Sequence, residues 1–115
     1  MDKKVEVSIL IEIYGNLLTE KQLEILDNYY NIDLSLSEIA ENNDITRQAV
    51  RDIIKKGEKK LFEFEEKLQI MKKMKKQEKL ISIILSELTQ IETKSTDEQI
   101  AKILSHIKSE LYCLV

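Results

Sequence analysis

An all-α fold is predicted by three observations. The chain of 115 residues has no proline and only two glycines, Gly15 and Gly57. Its composition is rich in Leu, Ile, Glu and Lys, which favours helices and offers little turn chemistry for hairpins. Apolar residues recur at three- and four-residue steps, and Ser/Thr residues followed three positions on by Glu or Gln punctuate them as helix starts.

The first helix is expected from about Lys4 to Tyr14. Val5, Ile9, Leu10, Ile13 and Leu17 approximate its apolar face, with Gly15 and Asn16 as stop signals. Thr19 opens a second helix, in a capping-box pattern with Gln22. Leu23, Leu26 and Tyr30 form one face of that helix, with Ile25 and Tyr29 alongside. Tyr29 and Tyr30 are read as packing residues before base-stacking ones, because buried aromatic faces are the commoner use. Ser35 and Glu38 repeat the capping box and start a short third helix, which Asn42–Asn43–Asp44 ends. Thr46 can cap a fourth helix by accepting a backbone N–H. Within it Gly57 costs about 1 kcal/mol relative to alanine, so a bend or break is expected there. Leu61, Phe64, Leu68 and Met71 continue as a seam able to pack another helix, and Glu63, Glu65 and Glu66 read as its charged outer face.

Leu80, Ile81, Ile84, Leu85, Leu88 and Ile91 then make a broad apolar stripe. Ser95 with Glu98 marks a third capping box, opening a last helix with Ile100, Ile103, Leu104, Ile107 and Leu111 inward. Two helices joined by a short polar loop predict an antiparallel hairpin. Its stripes are wider than two helices can cover, so docking on the long helix or pairing with a second subunit is expected to hide the remainder. The expected division is a domain over residues 1–60 and a helical extension over 61–115, the latter serving oligomerisation or partner binding.

Residues 35–56, SLSEIAENNDITRQAVRDIIKK, have the pattern of a helix-turn-helix. Ile39, Ala40, Ile45, Val50 and Ile53 fall where two short crossed helices need apolar contacts, and Ala40 is small enough for close approach. Asp44 occupies the turn where glycine is usual, since the backbone there tends to positive φ, which Asp tolerates better than most residues. Arg47, Gln48, Arg51 and Lys55, followed by Lys56, fall largely away from the apolar contacts. Their side-chain types suit base edges and phosphates. The same spacing also describes an ordinary three-helix packing unit.

Charge distribution sharpens that reading. The net charge is −3, but residues 1–46 carry 3 basic and 10 acidic side chains and residues 47–79 carry 12 and 6. Positive charge therefore begins at the proposed recognition helix, where local field matters more than the total. Lys72, Lys73, Lys75 and Lys76 form the densest cluster, suited to RNA, DNA or an acidic protein, or simply to a solvated helix face.

Other classes find little support. No glycine-rich phosphate loop and no His/Cys/carboxylate set with metal spacing is present, so no cofactor, metal or catalytic residue is assigned. His106, the sole histidine, reads as a helix-edge residue. Cys113 is the only cysteine, which excludes an intrachain disulfide and suits a reducing cytoplasm. No apolar run approaches the roughly 18–20 residues of a membrane span, and the N-terminus does not read as a signal peptide.

The pieces LLTEKQ at 17–22, YY at 29–30, LSLSEIAE at 34–41, ITRQAVRDIIKK at 45–56 and FEFEEKL at 62–68 resemble the YlxM family of small bacterial helix-turn-helix proteins. More distantly they resemble the promoter-reading fourth region of bacterial sigma factors. Beyond Lys79 the likeness is one of length and helical character. The resemblance implies an all-helical protein with a sigma-region-four-like unit and a regulatory role linked to the signal recognition particle pathway. It places Arg47, Gln48 and Arg51 toward the major groove, with Thr46 and Lys55 at backbone-contacting positions. The expected partner is DNA, with RNA or signal recognition particle components as alternatives, and the expected assembly is a homodimer. In the competing reading the particle's protein or small RNA meets Lys72, Lys73, Lys75 and Lys76.

Overall fold

A computed structural model describes residues 2–114, and these form six α-helices without a strand: α1 (Lys3–Tyr14), α2 (Glu20–Tyr30), α3 (Leu36–Asn43), α4 (Arg47–Leu68), α5 (Ile70–Lys94) and α6 (Glu98–Tyr112). A short 3-10 turn, Gly15–Leu17, joins α1 to α2. The chain divides into two compact units, one ending at Met71 and the other beginning at Lys72. Among the described residues, no helix is long and apolar enough to cross a membrane.

The first unit is organised around α4, which packs against α1, α2 and α3. Val50, Ile54, Gly57 and Leu61 are its buried residues; their spacing of four, three and four is one face of a helix. Opposite them lie Val7, Leu10, Ile11 and Tyr14 of α1, Ile25 and Leu26 of α2, and Ile39 and Ala40 of α3. The α1 face differs from the expected one, because Val5 and Leu17 are exposed. Val7, Ile11 and Tyr14 displace them, and together with Leu10 make a tighter i, i+3, i+4, i+7 set.

Caps define the helix starts. Thr19 and Gln22 form a complete capping box on α2, and Ser35 and Glu38 form another on α3. At α6 the cap is Asp97, whose carboxylate accepts from Gln99 N at 2.9 Å, so the expected Ser95–Glu98 box is corrected. Ser95 Oγ instead accepts from Asp97 N at 3.3 Å. Starting the helix two residues later allows the stronger acceptor to sit at the N-cap.

Gly57 does not break α4, contrary to expectation. A Cβ there would lie 2.5 Å from Leu26 Cδ1. The glycine's purpose is thus the close approach of α2, and it costs the helix little when packing compensates. The break comes at Gln69, with φ 54° and ψ 32° in the left-handed region. Here the expected seam through Leu68 is interrupted: Leu68 is exposed, while Met71 returns to the core.

A half-buried polar clasp around the buried Tyr14 fixes that break. Tyr14 Oη donates to Glu65 Oε1 at 2.7 Å and accepts from Ile70 N at 3.2 Å. The same carboxylate oxygen accepts from Met71 N at 2.9 Å. The first N–H groups of α5 have no intrahelical acceptors, and a side chain from α1 and another from α4 supply them. Burial, then the Glu65 hydrogen bond, push the Tyr14 phenol above its ordinary range.

In the second unit, Ile81 and Leu104 are the buried apolar residues. Lys108 of α6 pairs with Glu92 of α5 at 3.3 Å. Leu80, Ile83, Ile84 and Ile91 on α5, with Ile100, Ile103 and Ile107 on α6, remain exposed. The inward placement expected for Ile100, Ile103 and Ile107 is therefore not met within one chain; Leu104 alone of that stripe is buried and Leu111 is half-buried.

Candidate nucleic-acid interface

The turn between α3 and α4 is built from three local features. Asp44 takes the left-handed conformation, φ 58° and ψ 39°, and its N–H bonds back to α3. Ile45 N donates to Ala40 O at 3.1 Å. Thr46 Oγ1 accepts from Ala49 N at 3.0 Å and caps α4. Ile39, Ala40 and Val50 are buried between the helices, with Ile45 and Ile53 partly covered. The crossed pair is thus held by its apolar side, and the first turns of α4 point their polar side away.

On that polar side Thr46, Arg47, Gln48, Arg51, Lys55 and Lys56 are all exposed. At 3.6 residues per turn, Arg47, Arg51 and Lys55 form one row along the helix, and Gln48, Asp52 and Lys56 the next. Gln48 Nε2 donates to Asp52 Oδ1 at 3.1 Å. The Gln48 amide is thereby oriented, with its carbonyl left as an acceptor.

Asp52 is the residue that reading by charge missed. It places a carboxylate among the cations, opposing phosphate at that point while ordering its glutamine neighbour. Its position one turn after Gln48 was the available signal. Lys59 and Lys60 extend the cationic run, and Lys60 Nζ lies 3.4 Å from Gln22 Oε1 of α2. Lys21 Nζ donates to Asn43 Oδ1 at 2.6 Å, tying α2 to the end of α3 beside the turn.

Arg51 and Lys55 also border a groove of about 290 Å³ with Tyr29, Tyr30, Leu36, Ile54, Lys3 and Glu58. Tyr29 and Tyr30 meet edge to face, their ring centres 5.1 Å apart. Tyr30 donates its hydroxyl to Glu58, which also pairs with Lys3 at 3.4 Å. Burial and that carboxylate raise the Tyr30 phenol far above its usual range. Both tyrosines are half-buried and engaged in packing. Glu58 therefore has two partners and is not an unopposed negative charge beside Arg51.

The other cationic cluster sits on α5. Lys72, Lys73 and Lys76 are exposed and Lys75 is half-buried. Lys72 to Lys76 belong to the second unit, whereas Arg47, Gln48 and Arg51 belong to the first. Among the described residues, no three His, Cys, Asp or Glu side chains gather as a metal set.

Comparison with known proteins adds an independent finding. A family model described as "Putative helix-turn-helix protein, YlxM / p13 like" matches residues 1–103. A UPF0122 protein of Clostridium perfringens is 41% identical over 111 residues, covering 96% of this chain and 97% of the relative. One of Clostridium botulinum is 47% identical over 88 residues, covering 76% and 81%. One of Acetivibrio thermocellus is 42% identical over 111 residues, covering 96% and 95%.

Proposed function

Because this chain belongs to the YlxM/p13-like family of helix-turn-helix proteins, we propose that it is a nucleic-acid-binding regulator that sets the start of α4 in the major groove of duplex DNA. The observation that carries the reading is the solvent exposure of Arg47, Gln48 and Arg51 on a helix anchored from behind by Ile39, Ala40 and Val50. Arg51 can reach guanine acceptors in bidentate fashion. Gln48, with its amide nitrogen held by Asp52, presents its carbonyl to a donor such as the amino group of cytosine or adenine. Thr46, Lys55 and Lys56 meet phosphates, which position the helix without reading sequence. Two such units acting as a pair would read two half-sites about one helical turn apart, roughly 34–36 Å.

Binding of a duplex selected from a random library, followed by fluorescence anisotropy, tests this. Neutralising around six phosphates weakens binding about a thousandfold between 50 and 200 mM salt. Arg51→Ala should cost about 1–3 kcal/mol on the selected duplex and little on unrelated duplexes. Lys55→Ala should weaken both alike. Salt-insensitive binding, or identical losses at the two positions, would remove the division between reading and anchoring.

A second reading draws on the lysines of α5. Lys72, Lys73 and Lys76 are exposed along one segment of helix, a surface fitted to the phosphates of structured RNA, which is recognised by shape more than sequence. On this reading the chain is an accessory module of the signal recognition particle, contacting its RNA or protein. Neutralising Lys72, Lys73, Lys75 and Lys76 together separates the two: loss of particle binding with duplex DNA affinity intact favours this one.

A further inference from the structure

We propose that the apolar surface left open on α5 and α6 is the docking face for a second copy of this chain, and that two such helix pairs close into a four-helix bundle. The argument begins with the heptad-like steps along each helix. On α5, Ile81, Leu85 and Leu88 make one stripe and are buried or half-buried. Leu80, Ile84 and Ile91 make a second, adjacent stripe and are 51%, 41% and 51% exposed. On α6, Ala101, Leu104 and Leu111 are buried or half-buried. Beside them Ile100, Ile103 and Ile107 are 41%, 60% and 36% exposed.

A helix with one apolar stripe needs one neighbour, and a helix with two adjacent stripes needs two. Each helix of this pair has one neighbour from its own chain and lacks the other. The deficit is the same on both helices. A second copy supplies two helices with the same two stripes, so an isologous two-fold contact fills every vacant position and leaves no apolar edge for a third copy.

The areas agree. An Ile or Leu side chain holds roughly 60–120 Å² of apolar surface on the usual transfer scale. Six such side chains at about half exposure give roughly 200–400 Å² per chain. A stable homodimer removes about 800 Å² per partner, near two thirds of it apolar, so these stripes supply roughly half of that apolar area. A two-helix unit of this size is also near the limit below which a fold needs oligomerisation to persist. The pairing proposed above thereby acquires a surface, and a mass measured without nucleic acid tests it apart from any affinity for DNA.

The experiment is sedimentation equilibrium on the full chain at micromolar concentrations, with circular dichroism on the same samples. The expected mass is twice the 13.5 kDa of one chain. Ile84→Glu and Ile103→Glu should each shift the mass to that of a single chain, while Ser86→Glu, on the polar side of α5, should not. If either glutamate variant loses helix content, Ile84→Gln and Ile103→Gln replace it and should weaken association at least tenfold. A single-chain mass for the unaltered protein overturns the proposal, as does a stoichiometry other than two. Retention of the pair by all the apolar-face variants overturns it too, by placing the contact elsewhere.

Discussion

In the first unit Leu10, Ile25, Leu26, Ile39, Val50 and Leu61 are completely removed from water, whereas in the second Ile103 is 60% exposed and Leu80 51%. Both units are written in the same alphabet of Leu, Ile, Glu and Lys with helical spacing. They differ in the number of helices available to share the apolar load. Three helices packed around α4 enclose their faces with it and add capping boxes, a buried tyrosine clasp and a glycine contact. Two helices alone cannot enclose theirs. Apolar spacing thus specifies which face can be buried, and chain topology decides whether the chain itself buries it.

The largest expected effect sharpens this contrast. Leu26→Ala should cost about 2–5 kcal/mol, because it opens a cavity against Gly57 of α4 in a closed core. Ile103→Ala, measured at concentrations where chains are single, should stay within about 0.5 kcal/mol. Hydrogen exchange resolved by helix is the suitable measurement, since the two units can open separately. Leu26→Ala should lower protection across α1 to α4 together, and Ile103→Ala should leave those helices unchanged. Comparable losses at the two sites would dissolve the contrast.

A second substitution probes how the first unit ends. Tyr14→Phe keeps the ring beside Phe64 but removes the hydroxyl that serves Glu65 and Ile70. The loss should be about 1–3 kcal/mol, since a half-buried carboxylate and an N–H lose a partner. Its pH dependence carries a sign. The Tyr14 phenol is raised in the folded chain, so its contribution is fully present below the unfolded value of about 10 and is lost as pH climbs through the folded value. Stability measured by denaturant unfolding should therefore fall more steeply above pH 10 in the unaltered protein than in Tyr14→Phe. Parallel curves would show that the hydroxyl contributes nothing that titrates.

That clasp also marks where sequence stops being legible. Thr19–Gln22, Ser35–Glu38, Asp44 and Thr46 could be read directly, because each acts on a backbone group within a few residues of itself. Their chemistry is local, and local chemistry has a fixed spacing. Tyr14 and Glu65 act on α5 from positions 51 residues apart, so no pattern announces them. Gly57 misled for the same reason: helix propensity sees a missing Cβ, while its cause is Leu26 on another helix. In the candidate interface, exposure of Arg47, Gln48 and Arg51 followed from helical phase and was readable. Asp52 was visible one turn beyond Gln48, but its significance emerged only when the amide was seen bonded to it.

The smallest effect concerns the turn that sets α4 against α3. Asp44 holds φ 58° and ψ 39°, a conformation that costs most L-residues about 1–2 kcal/mol and Asp less. Glycine removes the steric part of that cost but adds unfolded-chain entropy of about 0.4–1 kcal/mol. The two nearly cancel, so Asp44→Gly should change stability by no more than about 0.5 kcal/mol. Asp44→Val should lose well over that amount, since a β-branched residue is poorly accommodated at positive φ. If the aspartate carboxylate were needed for more than its tolerance of this backbone, Asp44→Gly would fall with Asp44→Val. Thermal unfolding of the two variants side by side distinguishes a residue chosen for its backbone from one chosen for its charge.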